Sequence, residues 1–214
     1  LSVIAEIKRR SPSAGVIDGR LDPVHRARAY EDGGCAAISV LTEPEFFDGS
    51  LGDLVAVRAA VDVPVLRKDF TRDPAQVWEA RAFGADAVLL IVAALDDAAL
   101  EACLAEAEVA GVDAIVEVHT AAEAHRAIAA GARIVGVNNR DLTTFTTDLT
   151  VAESVAPIIE GASVRIAESG VSDVDGAARM GAAGYDAILV GEALVRHADP
   201  SRFVEELRSA GTPS

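Results

Sequence analysis

Cysteine, aromatic side chains, lysine and long apolar runs are all scarce in this 214-residue sequence. The two cysteines, Cys35 and Cys103, stand alone with no CxxC or Cys/His spacing. That argues against a disulfide framework or a zinc site and leaves two plain buried thiols as the expectation. Aromatics make up 4% against 50% apolar residues, so the core must be built from Ala, Val, Ile and Leu, as in a parallel sheet. No apolar run approaches the ~18 residues needed to span a bilayer, and the opening LSVIAEIKRR lacks the long apolar stretch of a signal peptide. A cytoplasmic location is expected. Positive charge is short too: a formal net charge of −15 repels nucleic acid and anionic membranes, so an anionic ligand needs a local positive site. The length fits one domain over residues 1–214, read as a monomer or weak homo-oligomer.

Short apolar runs recur along the chain, each followed by an Ala-rich stretch of helical periodicity. They are Val3 to Lys8, Ala37 to Leu41, Val65 to Lys68, Ala87 to Val92, Ala114 to Val118, Ile134 to Asn138, Val164 to Glu168 and Ala187 to Gly191. Gly84, Gly111, Gly131 and Gly184 precede strands as helix stops, while Asp22, Asp73, Asp96, Thr120 and Asp173 mark helix starts. Eight βα units without a long insertion predict an α/β fold, a single (β/α)8 TIM barrel. The last residues, Ser209 to Ser214, read as a frayed tail.

In such a barrel the chemistry sits where each strand runs into the loop that follows it. Those ends carry Glu6, Lys8, Lys68, Glu117, Asn138, Glu168 and Ser169. The scarcity of lysine now becomes informative: Lys8 and Lys68 are the only lysines beside 17 arginines, and both lie at strand ends. An ammonium group, unlike a guanidinium, can be made more acidic by burial, which suits a general acid. Asn138 and Asn139 are likewise the only asparagines. The bland alternatives are lysines reaching to water and a Glu117 that merely pairs with Lys68. Backbone N–H groups around Ser169, Gly170, Gly191 and Glu192 form a candidate phosphate cradle, with a ligand-free tight turn as the alternative. The loop Arg9 to Gly15 reads as a flexible, basic lid. His119 reads as a loop histidine, and His25, His125 and His197 as surface residues of helical stretches.

These segments resemble a known family. Ile4-Ala5-Glu6-Ile7-Lys8-Arg9-Arg10-Ser11-Pro12-Ser13, Leu41-Thr42-Glu43 with Phe46-Phe47-Asp48-Gly49-Ser50, Leu66-Arg67-Lys68-Asp69-Phe70, Gly136-Val137-Asn138-Asn139-Arg140-Asp141-Leu142 and Ala167-Glu168-Ser169-Gly170-Val171 are similar, in order, to the indole-3-glycerol phosphate synthases of tryptophan biosynthesis. The resemblance implies ring closure of 1-(2-carboxyphenylamino)-1-deoxyribulose 5-phosphate with loss of CO2 and water, without cofactor or metal. By the same resemblance Lys68 is the general acid at the ribulosyl carbonyl, and Glu117 and Lys8 serve dehydration, with the division between the lysines left open. Glu6 and Asn138 orient the reacting groups, Glu168 lines the pocket and Arg140 braces it. Ser11, Ser169, Gly170, Gly191 and Glu192 take phosphate or lid positions, and Phe47, Phe70, Leu89 and Leu142 sandwich the anthranilate ring. The family also carries a segment before the first strand, with a helix over the barrel mouth; this sequence begins at that strand and is expected to lack it. A related phosphate-binding barrel isomerase is disfavoured because Glu6 and Lys8 replace the Cys or Asp base at the end of the first strand. A barrel that has lost activity and serves as a binding partner is disfavoured by the intact Lys8, Lys68, Glu117 and Asn138.

Overall fold

Alternation along each apolar run decides the architecture. The computed structural model describes residues 1–141 and 143–210. Eight strands, β1 (Ser2–Ile7), β2 (Ala37–Leu41), β3 (Val65–Lys68), β4 (Ala87–Ile91), β5 (Asp113–Val118), β6 (Ile134–Asn138), β7 (Val164–Glu168) and β8 (Ala187–Val190), pair in parallel and close on themselves. The ring runs in chain order, with β1 hydrogen-bonded to both β2 and β8. This is the expected (β/α)8 barrel. The eight predicted runs match the strands to within a residue at each end.

Successive side chains of a strand face opposite sides. Here one set, including Ile4, Leu66, Leu89, Ile115, Ile166 and Leu189, packs into an apolar plug inside the barrel. The other set, including Val3, Ala5, Val40, Val65, Leu90, Val116 and Val137, packs outward against the helices. The main helices are α1 (Pro23–Asp32), α2 (Leu51–Arg58), α3 (Pro74–Ala82), α4 (Asp97–Ala110), α5 (Ala121–Ala129), α6 (Thr150–Val155), α7 (Val174–Ala182) and α8 (Pro200–Ala210), with short turns of helix at Pro44–Phe47 and Glu192–Arg196. Asp22, Asp73, Asp96, Thr120 and Asp173 each accept from a backbone N–H of the first turn, so all five predicted starts are observed caps. Asp73 and Gln76 complete a capping box. Among the described residues no helix is long and apolar enough to cross a membrane.

The loop after β1 departs from expectation. It is no slack basic lid but a small antiparallel ladder, Arg10–Ser11 against Gly15–Val16. Arg9 does not wait for an anion either: its guanidinium forks onto Asp53 at 2.7 and 3.0 Å and donates to the carbonyl of Asp48 at 2.9 Å. The charge that looked free in sequence is spent tying this loop to the one after β2.

Candidate active site

Continuing the inward set of each strand to its C-terminal end brings Glu6, Lys68, Glu117, Asn138 and Glu168 to one level above the plug. Register makes this exact pairing unavoidable for some of them: Asn138 lies opposite Glu168, and Glu117 opposite Gly136. Lys68 Nζ stands at the centre, 2.5 Å from Glu168 Oε2, 3.7 Å from Glu117 Oε2 and 3.9 Å from Glu6 Oε2. Lys8 Nζ meets Glu6 Oε1 at 2.6 Å. Asn138 Nδ2 donates to Glu117 Oε1 at 3.0 Å, and its own Oδ1 accepts from the Arg140 backbone N–H at 3.0 Å. Glu6, Glu117 and Glu168 are all buried.

Two glycines make room for this cluster. A Cβ on Gly136 would run into the Glu168 carboxylate and lie 3.3 Å from Ile115, so the missing side chain is the space that Glu168 occupies. A Cβ on Gly191 would strike Glu6 Oε1 and stand 2.8 Å from Lys8 Nζ. Neither role was visible in the sequence reading of these glycines, although alternation with Asn138 places Gly136 on the inward face.

The electrostatics follow from the count of charges. Three carboxylates face two ammonium groups in a poorly hydrated space. Burial alone pushes the Glu6 carboxyl up, but Lys8 and Lys68, with Arg140 further off, outweigh it and hold Glu6 below the ordinary carboxylate value. Burial disfavours the Lys68 ammonium, yet Glu168, Glu117 and Glu6 together push it above the ordinary lysine value. The expectation of a lysine made acidic by burial is therefore corrected: the surrounding carboxylates win. The unbalanced negative charge falls on Glu168, pushed up to about 7 by burial and by Glu117 and Glu6, against the opposing pull of Lys68. Its Oε1 is buried without a hydrogen-bond partner.

Above the cluster opens a cavity of about 980 Å³ whose lining includes Lys8, Lys68, Phe47, Phe70, Arg140 and Gly191. Phe47 and Phe70 form one apolar wall, their ring centroids 6.5 Å apart. Leu89 is not on that wall; it lies deeper, in the plug on which Phe70 packs, because its strand position is one layer below the mouth. Leu142 lies outside the described residues. Ser11 is buried at the rim and accepts from the Ala14 N–H at 3.2 Å. Ser169 and Gly170 take consecutive left-handed conformations, φ 62° and 85°, which turns the chain sharply over the mouth. Glu192 begins the short helix Glu192–Arg196 after Gly191, and its carboxylate is paired with Arg196 at 2.9 Å.

Several side chains took roles that the sequence reading missed. Asn139 clamps the loop after β7: its Nδ2 donates to the carbonyls of Glu168 and Ser169 at 3.1 Å each, and its Oδ1 accepts from the Ala152 N–H at 2.9 Å. Arg67, facing outward and buried, binds Asp69 at 3.2 Å and Glu79 at 2.7 Å, while Asp69 Oδ1 accepts from the Phe70 N–H at 2.8 Å. That network fixes Lys68 and Phe70 on either side of Asp69. His119 is a loop residue as read, but with partners that the reading missed: its Nε2 stands 3.3 Å from Glu117 Oε1 and its Nδ1 3.3 Å from Glu123 Oε2. The signal was available, since two residues beyond an inward Glu117 is again inward. His25 and His125 are exposed helical residues as expected. His197 is not: it ends the Glu192–Arg196 helix, stacks on Phe203 with centroids 4.5 Å apart and lines the cavity.

The family model described as indole-3-glycerol phosphate synthase matches residues 1–207. Curated relatives of that name include one from Kineococcus radiotolerans, 56% identical over 211 residues, covering 99% of this chain and 77% of the relative. Another, from Mycobacterium avium, is 54% identical over 212 residues, covering 99% and 78%. Among solved structures, a 3-hexulose-6-phosphate synthase superposes with a TM-score of 0.75 at 20% identity, covering 98% of this chain and 99% of the other. A thiamine phosphate pyrophosphorylase from Pyrococcus furiosus gives 0.71 at 22% identity, covering 99% and 95%. At such identities these two speak for the barrel alone.

Proposed function

The chain belongs to the indole-3-glycerol phosphate synthase family, and from that premise we propose how its residues close the indole ring. The reaction joins the aryl carbon that bears the carboxylate to the ribulosyl carbonyl carbon of 1-(2-carboxyphenylamino)-1-deoxyribulose 5-phosphate. CO2 then leaves, followed by water, giving indole-3-glycerol phosphate. The observation that carries the reading is the Lys68 ammonium, held charged on the barrel axis by three carboxylates.

Lys68 donates to the carbonyl oxygen as ring closure makes it an alkoxide, which is a stronger base than an amine even where the amine is raised by its neighbours. Glu168, 2.5 Å away and titrating near neutrality, is placed to return that proton. Ring closure leaves the attacking aryl carbon tetrahedral and the ring electron-deficient. The C–C electron pair of the departing carboxylate then restores aromaticity, so the substrate itself supplies the electron sink. For dehydration, Glu117 takes a proton from the carbon next to nitrogen while Lys8 protonates the departing hydroxyl. Glu6 holds Lys8, and Asn138 holds Glu117. Phe47 and Phe70 supply the apolar wall for the anthranilate ring, with Leu89 beneath. Arg140 braces the pocket, and Ser11 and the backbone at Ser169, Gly170, Gly191 and Glu192 receive the phosphate and its lid. The working unit is the barrel over residues 1–214 as one domain, a cytoplasmic enzyme of a small phosphorylated substrate and a monomer or weak homo-oligomer.

Incubation of the purified chain with the ribulose phosphate substrate, followed by indole fluorescence, tests the function; no product at saturating substrate refutes it. Lys68→Ala is expected to lower kcat by roughly 100- to 10,000-fold while substrate still binds. Loss of binding instead makes Lys68 a phosphate anchor and refutes its role at the carbonyl.

A further inference from the structure

Glu117 is buried at the bottom of the mouth, and a substrate seated above it closes that route to water. The proton balance of the proposed reaction makes this a problem. Turning a carbonyl oxygen into water consumes two protons, and only one is released, from the carbon next to nitrogen. Each turnover therefore draws one proton from solvent. A second way out of the cluster exists on the far side of Glu117. The Glu117 side chain is 3% exposed, His119 beside it 13% and Glu123 beyond that 19%, so the three step outward toward water. The imidazole is spanned between the two carboxylates, 3.3 Å from each. Its Nε2 is buried and makes no well-formed hydrogen bond, aimed at Glu117 Oε1. The ring is also held in place. Glu123 sits in the first turn of α5 and accepts from the His119 backbone N–H at 2.7 Å, while Thr120 caps the Glu123 N–H at 3.2 Å.

We propose that His119 is a positioning residue that returns a solvent proton to Glu117 along the path Glu123, His119, Glu117. Nδ1 of the neutral imidazole, whose own proton sits on Nε2, takes a proton from water beside Glu123; the Nε2–H bond of the resulting imidazolium then breaks as an O–H bond forms on Glu117, and tautomer exchange moves the remaining proton from Nδ1 back to Nε2 before the next turnover. Glu117 passes first the proton it took from the carbon next to nitrogen and then the one from His119 to the neutral Lys68 amine, 3.7 Å away; Lys68 hands one on to refill Glu168 and the other through Glu6 to the Lys8 amine. The charged groups facing His119 are Glu117 on β5, Glu123 on α5 and Asp141 in the loop after β6. The inference rests on the reading that Glu117 works in the ring closure and dehydration above.

The test compares wild type with His119→Gln and Glu123→Gln over a pH series, with and without free imidazole in the buffer. His119→Gln is expected to lower kcat by roughly tenfold or more with KM within about twofold, to lose one ionisation from the kcat profile, and to regain rate as imidazole is added. Glu123→Gln keeps an oxygen for the backbone cap and is expected to show a smaller loss with the same imidazole response. If His119→Gln fails to fold, judged by its melting curve, Glu123→Gln decides alone. A kcat unchanged within about twofold, or a loss that keeps the wild-type profile and ignores imidazole, overturns the inference while an active wild type leaves the function standing. An inactive wild type overturns both.

Discussion

Replacing Glu168 by Gln should make the protein lose less stability as pH rises and make it less active, and the size of the effect can be worked from the charge cluster. Glu168 titrates at about 7 in the folded chain against an ordinary value of 4.5. As pH rises through that window the unfolded chain gives up its Glu168 proton first, so the folded state is the one holding the extra proton and stability falls. Between about pH 5 and about pH 8 the loss comes to ~2 to 3 kcal/mol at ~1.4 kcal/mol per tenfold. Gln has no such proton to lose. Whatever the variant sacrifices by exchanging the 2.5 Å contact with Lys68 for a neutral one enters as an offset that changes little across this range. The difference in Tm, variant minus wild type, is therefore expected to rise by ~5 to 10 °C from about pH 5 to about pH 8 in a chain of this size. Differential scanning calorimetry across that range reads it directly. A difference that stays flat, or falls with pH, refutes the assignment of the excess negative charge to Glu168.

Gly136→Ala drives a methyl group into the Glu168 carboxylate, so kcat should fall by roughly tenfold or more and stability by ~1 to 3 kcal/mol; an unaffected kcat in steady-state assay would show that Glu168 can move away without consequence. Gly191→Ala meets Glu6 and Lys8 on the other side of the mouth and should reduce turnover while leaving the Glu168 pH effect on Tm intact, a separation that paired assay and calorimetry detect. Arg67→Met strands Asp69 and should cost ~3 kcal/mol, or ~10 °C in Tm, with the Arg67→Met/Asp69→Leu double variant recovering part of it; a double variant no better than the single would mean that the charge pair is not what holds the loop.

The fold was legible because the signals are local and repeated. A β-strand buried on both faces, a capping Asp or Thr and a helix-ending Gly each act within a few residues; the strands recur eight times, and a cap or a Gly marks most of the helices between them. Much of the mouth was legible for a different reason: the sequence uses Lys and Asn only where they are needed, so Lys8, Lys68, Asn138 and Asn139 stood out by type. What stayed hidden depends on three-dimensional neighbours. The loop from Arg9 read as a flexible basic lid because Asp53, the partner of Arg9, is 44 residues away along the chain. The direction of the Lys68 shift could not be read from Lys68 at all, since burial and three carboxylates act in opposite senses and only distances decide between them. His119 was within reach of the alternation rule and was passed over because its partner Glu123 belongs to the next helix.

The mouth also shows why so much charge can be buried at one level of a barrel whose interior is otherwise filled mainly with Ile and Leu. Below Glu168 the inward positions carry branched apolar side chains that fill the interior and leave no water to solvate a carboxylate. Charged heads can be stacked on that plug only if neighbouring inward positions are vacated and if the strand ends are held from outside. Gly136 and Gly191 do the first, each leaving the volume that a carboxylate or an ammonium group takes up. Arg67 and Asn139 do the second, bracing the segments that carry Lys68 and Glu168. One carboxylate more than the ammonium groups can balance then remains, and it destabilises the empty fold at neutral pH. The same surplus holds a proton beside Lys68 near neutrality, so the residue that weakens the resting barrel is also the one that stores a proton next to its central ammonium group.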